Sequence, residues 1–169
     1  MTTISMYQAS IPGFLHHLDT LSKILKKAED HAKAKNIDPS VFVNARLAPD
    51  MFPLSRQVQI ATDGVKGFAA RISGTDLPSF PDTETTFEEL QARIKKTSDF
   101  LKTFKPEQID GTEDKDITFP RRNAPDWHFK GLAYLTTFVI PNLHFHVTTT
   151  YAILRHNGVE LGKKDYLEL

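Results

Sequence analysis

The sequence predicts an all-α fold, a four-helix bundle in a single domain over 1–169. Three observations predict it. Apolar residues recur at spacings of three and four in four long stretches. Each stretch carries helix start or stop signals. The alternating runs that would mark strands, Ile117-Thr118-Phe119 and Trp127-His128-Phe129, are too short to build more than a minor β-hairpin over 116–130.

The first stretch, Tyr7, Ile11, Phe14, Leu18, Leu21, Leu25 and Ala28, predicts a helix over 6–35. Ser5 and Gln8 form a capping box ahead of it, Pro12-Gly13 is expected to kink it, and Asn36-Ile37-Asp38-Pro39 ends it. Residues 37–50 read as an irregular connection with a helical turn near Val41. The second helix, 51–73, carries Leu54, Val58, Ala61, Val65, Phe68 and Ile72 on one face. Asp50 is its expected cap, Pro53 lies in its first turn, and Gly74 ends it. A polar loop with Pro78 and Pro81 follows. The third helix, 87–104, opens on a capping box of Thr86 and Glu89 and stops at Pro106. The fourth, 131–157, is expected to bend at Pro141 and to end on Asn157-Gly158, with Arg155 and His156 suited to its C-terminal dipole. The connections over 37–50 and 105–130 are longer than bundle hairpins need, so the topology need not be plain up-down-up-down.

The fourth helix carries the most information about a site. At about 100° per residue, Leu135, Val139, Leu143, Val147, Ile153 and Leu154 form its apolar stripe. Asn142, His146 and Thr150, spaced i, i+4, i+8, fall inside that stripe, while His144, Thr148 and Arg155 fall outside it. A buried imidazole, amide and hydroxyl need partners. Either they bond to one another and to neighbouring helices, or they line a pocket for a ligand or metal. The stretch from Arg46 to Gln59 adds Asp50, Arg56 and Gln57, read either as capping and surface pairs or as a polar rim at one mouth of the bundle.

Composition excludes several classes. Hydrophobic residues make up 40% and charged residues 25% of the chain, and the formal net charge is +0, so no basic footprint favours nucleic acid. No apolar window is long enough to cross a membrane. Met1 to Tyr7 lacks a secretory pattern, and a cytoplasmic location is expected. Cysteine is absent, which removes thiolate ligands and thiol nucleophiles. No phosphate loop is read at Gly158–Lys164, which lacks the Ser/Thr and a preceding strand. No histidine lies between His31 and His128, so helices two and three offer no imidazole to a metal. His144 and His146 point about 160° apart on a helix and cannot share an ion. His16 is expected to face outward and His17 to lie at an edge. A site of His146, His17 and His128 would require those three side chains to meet, which the pattern does not demand.

Arg46-Leu47-Ala48-Pro49-Asp50-Met51, Gln57-Val58, Pro141-Asn142, Phe145-His146, Thr148-Thr149, Tyr151, Leu154-Arg155-His156-Asn157-Gly158, Gly162-Lys163 and Asp165-Tyr166-Leu167 together resemble the domain-of-unknown-function branch of the DinB/YfiT-like superfamily. The resemblance spans most of the chain. It implies a four-helix bundle, often a homodimer, and in metal-binding members one histidine from the second helix with two, four apart, from the last. Here that last pair reads Asn142 and His146, and only His146 carries over as a candidate metal ligand. The expectation is therefore a small-molecule-binding or non-enzymatic bundle. Its pocket would be lined by Asn142, His146, Thr150, Asp50, Arg56 and Gln57, with no cofactor and no stoichiometric metal. The alternative is a metal-dependent transferase or hydrolase using an altered ligand set around His146. A homodimer is expected, through outer faces carrying Phe138 and Phe145.

Overall fold

The structure, a computed structural model, describes residues 3–169. Four long helices form the bundle: α1 Ile11–Lys35, α3 Leu54–Ser73, α4 Phe87–Leu101 and α7 Ile140–His156. Short helices α2 Pro39–Val43, α5 Pro106–Ile109 and α8 Lys163–Leu167 fill the connections and the C-terminus. Strands β1 Asp116–Phe119 and β2 Trp127–Lys130 pair antiparallel, with Ile117 opposite Phe129. The minor hairpin is thus present within 116–130.

The ends of the elements follow local chemistry. The reciprocal bonds of Ser5 and Gln8 do form, but they close a turn, and α1 begins only at Ile11. Pro12 explains the delay. Its missing N–H is harmless in a first turn and would break a helix interior, so it starts α1 rather than kinking it. Asn36 ends α1 in the left-handed conformation, at φ 54°. Asp38 caps α2 through the Ser40 amide, and Gly74 closes α3 at φ 78°. Thr86 and Glu89 form the predicted box on α4, which ends at Leu101 rather than 104. Asp50, in contrast, caps nothing. Pro53 holds extended backbone at the N-cap position and delays α3 to Leu54, which leaves Asp50 exposed in the preceding turn.

The long helices pack in the ring order α1–α4–α3–α7. Cross-helix contacts fix their directions. Gln57 meets His146 while Gly64 meets Asn142, so α3 and α7 are antiparallel. Ser22 meets Gln91 while Tyr7 meets Asp110, so α1 and α4 are antiparallel. Gln59 meets Glu84 and Thr62 meets Arg93, so α3 and α4 run parallel. The bundle is up-down-down-up. A parallel pair cannot be joined by a tight turn. Residues 74–86 therefore run back along α3 as an extended strap. About a dozen extended residues reach about 40 Å, enough to retrace the roughly 30 Å of α3.

The last helix is continuous but not uniform. Gly131–Ala133 is α-helical (α6), Tyr134–Val139 is a π-helix, and α7 follows. Pro141 offers no amide to the turn before it, and the backbone there takes the wider turn instead of simply bending. The π segment stacks Tyr134 on Phe138, with ring centroids 5.8 Å apart, and the hairpin lays Phe119, Trp127 and Phe129 against them. Phe138 is consequently half-buried under the hairpin rather than free for a partner, whereas Phe145 is 56% exposed. Among the described residues, no helix is long and apolar enough to cross a membrane.

Candidate functional site

The helix phase read from the sequence holds: His146 is buried and His144 is exposed. His146 faces α3, where its Nδ1 lies 2.6 Å from Gln57 Oε1. The Gln57 amide nitrogen donates to the Phe52 carbonyl at 3.0 Å, which turns Oε1 toward the ring. The imidazole must then donate from Nδ1 and keep its lone pair on Nε2. Burial, with the nearby Arg56 cation, lowers its pKa to about 4. His146 is a neutral group completed by a neutral partner.

Its two row-mates diverge. Thr150 is fully buried and donates back to the His146 carbonyl at 2.9 Å, so its hydroxyl is satisfied within its own helix. Asn142 is half-buried, and its side chain makes no hydrogen bond to protein among the described residues. Of the row, only Asn142 lacks a side-chain hydrogen bond among the described residues.

A cleft of 490 Å³ lies beside it, bounded by α3, the strap, β1 and the start of α7. Of the six expected pocket residues, Arg56 and Asn142 line it, while His146, Gln57, Thr150 and Asp50 do not. The remaining polar lining comes from Asp63, Lys66, Arg71 and Ser79, and the aromatic walls from Phe80, Phe119 and Phe138. Sequence reasoning assigned none of these to a pocket. Gly64 and Gly67 in the interior of α3 were the available signal, since each costs about 1 kcal/mol relative to alanine in a helix. A methyl on Gly64 would stand 3.3 Å from the Asn142 amide nitrogen, and one on Gly67 would collide with the Arg71 guanidinium.

An ion-pair network behind the cleft holds the strap. Arg93, on the core face of α4, donates from Nε to the Thr62 hydroxyl at 2.8 Å and from Nη1 to Glu84 at 3.0 Å. Its Nη2 lies 2.9 Å from Asp63 and 3.0 Å from Asp82, at angles too oblique for either ion pair to be a hydrogen bond. Arg56 pairs with Asp82, and Lys66 with Asp63 at 2.7 Å. The ammonium groups of Lys66 and Lys96 sit 4.1 and 4.2 Å from the Phe80 ring centroid and fix that ring over the cleft.

The other histidines form a separate cluster. His17 on α1 lies 4.4 Å from His144, ring to ring, and Tyr166 of α8 approaches His144 Nδ1 at 3.5 Å. The His17 Nδ1 is buried without a partner, and burial together with His144 and His16 lowers its pKa to about 4. His128 is exposed on the hairpin, so His17, His128 and His146 do not converge. Among the described residues, no three His, Asp or Glu side chains are placed to hold one metal ion. The donors around His146 are the amides of Gln57 and Asn142. That set does not fit the three-histidine metal centre of metal-binding DinB relatives, because neutral amides are poor ligands for zinc or nickel.

The comparisons with known proteins bear on the family and the fold. The family described as domain of unknown function DUF1993 matches residues 6–167. A solved structure described as a DinB family member from Shewanella denitrificans is similar at 40% identity over 95% of this chain and 90% of that one, with a TM-score of 0.87. Among curated proteins nothing matches the chain. The family match and the solved relative carry the resemblance read from the last helix through nearly the whole chain, and the protein belongs to the DUF1993 family of DinB-like helical-bundle domains.

Proposed function

We propose that this domain binds a small molecule without chemistry at a resident metal, and that its site is the cleft between α3, the strap, β1 and α7. The observation that carries the reading is the convergence of Arg71, Lys66, Arg56 and Asn142 between the rings of Phe80, Phe119 and Phe138. A concave, mostly apolar space with a few polar groups is the usual form of a ligand site, and 490 Å³ falls in the range of about 300–1,000 Å³. One turn further along the same face of α7, His146 is engaged by Gln57 and serves packing.

Two measurements test this. Elemental analysis of protein purified without a metal-binding tag should find no stoichiometric zinc, nickel or iron. A thermal-shift screen of small organic molecules should find stabilising ligands whose effect is lost in Asn142→Leu. About one metal per chain, released by His146→Ala, would replace this reading with the alternative of a metal-dependent transferase or hydrolase built around His146. Self-association through the face carrying Phe145 belongs to the same proposal, and a monomeric mass at high micromolar concentration would remove it.

A further inference from the structure

The cations of the strap network are balanced. Arg56, Lys66 and Arg93 face Asp63, Asp82 and Glu84. Arg71 stands outside that balance. It lines the cleft and forms no ion pair among the described residues. Its Nη1 instead donates to the Tyr134 hydroxyl at 3.1 Å, and its guanidinium carbon lies 4.8 Å from the Phe119 ring centroid. Both contacts fix the orientation of the fork, and neither cancels its charge. Tyr134 is itself immobile, 1% exposed and stacked on Phe138. The glycine at position 67 leaves the space into which the guanidinium folds along α3.

The rest of the cleft fits a flat body rather than a bare ion. Phe80, Phe119 and Phe138 supply aromatic surface, and the Asn142 amide, seated over Gly64, offers a donor and an acceptor with no partner among the described residues. Phosphate or sulfate would use Arg71 alone and leave those walls uncovered.

We propose that the cleft takes a small aromatic carboxylate, with the carboxylate paired to the pre-oriented Arg71 fork and the ring covered by Phe80, Phe119 and Phe138. This rests on the small-molecule reading above and narrows it to an anion. An arginine fork matches a carboxylate through two parallel hydrogen bonds, and a charge held in place beforehand loses less on binding.

The test uses the full chain and matched probes: benzoate, phenylacetate, cinnamate and indole-3-acetate, each beside its primary amide, with inorganic phosphate as a further probe. Calorimetry on the wild-type protein should find at least one acid binding about tenfold or more tightly than its amide. Arg71→Gln should weaken that acid by about tenfold or more and the amide by much less, a pattern that a general loss of packing would not produce. Arg71→Lys should keep part of the preference for the acid. Equal binding of acid and amide would overturn the anion and leave a neutral small-molecule site standing. Phosphate binding as tightly as the best acid would overturn the aromatic body. Failure of acids, amides and phosphate alike at millimolar concentration, alongside an empty thermal-shift screen, would overturn both this proposal and the reading beneath it.

Discussion

Arg93 and Arg71 lie on neighbouring parallel helices and meet opposite surroundings. Arg93 is 3% exposed, and each guanidinium nitrogen faces an oxygen of Thr62, Glu84, Asp63 or Asp82. Arg71 is half-buried beside a phenol and a phenyl ring, with no carboxylate. One side chain is used up by the fold, because it ties the strap to α3 and α4. The other is held in position and left with its charge. The same contrast separates His146, completed by Gln57, from Asn142, whose side chain has no hydrogen-bond partner among the described residues. Available chemistry on this bundle is marked by polar groups that the fold positions but does not complete, and these gather on the strap side of α3.

The largest effect that could break this comparison is on Arg93. Replacing it with methionine fills much of the space but leaves Asp63, Asp82 and Glu84 without their shared cation. Removing one partner of a buried ion pair costs about 3–5 kcal/mol, and the low end, about 3 kcal/mol, is expected here because Asp63 and Asp82 reach solvent. Urea unfolding measures the loss, and limited proteolysis should place new cleavage within residues 74–86. A loss under about 1 kcal/mol would mean that the strap is held by something other than this network.

The histidines supply the next effect, through pH. An unfolded imidazole titrates near 6.5, whereas His146 and His17 titrate at about 4 in the folded chain. Between those values the unfolded chain takes up protons that the folded chain refuses, so stability is full above about pH 6.5 and falls as pH drops toward 4. The depressed pKa of the buried His146 corresponds to a loss on the order of 2–3 kcal/mol by pH 4. His17 adds less, since it is half-exposed and its shift comes partly from His144 and His16, opposed by Glu168. Denaturation curves at pH 7.5 and 4.5 measure the slope, and His146→Gln should flatten it. An unchanged slope in that variant would move His146 out of the completed class to which Arg93 belongs.

Much of the fold was legible because its signals are local. Apolar spacing gave the four long helices, Thr86 with Glu89 and Gly74 gave their ends, and the phase of α7 placed His146 inside and His144 outside. Helix direction was not legible. A capping box fixes where a helix starts but not which end of the bundle it starts from, so nothing before the structure distinguished a parallel α3–α4 pair joined by a strap from an antiparallel hairpin. The candidate site was legible only at its edges. Arg56 and Asn142 lie in the cleft, but Arg93, flanked by Leu90 and Ile94, reads as an interruption of a core face until its partners from α3 and the strap are known. Those pairings span up to thirty-one residues of sequence, which periodicity does not see. Gly64 and Gly67 were the one local signal of the cleft, because a helix interior that gives up two side chains on one face does so for something lying against it.

The smallest expected effect decides the comparison most sharply. Arg71→Gln removes one hydrogen bond to Tyr134 and one cation–ring contact with Phe119. Each contributes about 0.5–1 kcal/mol in a partly exposed setting. Removing an unbalanced cation from the neighbourhood of Arg56 and Lys66 relieves repulsion, which offsets part of that loss, and glutamine can still donate toward the Tyr134 hydroxyl. The unliganded variant should therefore unfold within about 1 kcal/mol of the parent in the same urea titration that exposes Arg93→Met. A loss above about 2 kcal/mol would show that Arg71 is as much a part of the scaffold as Arg93, and the cleft would then have no residue set aside for a ligand.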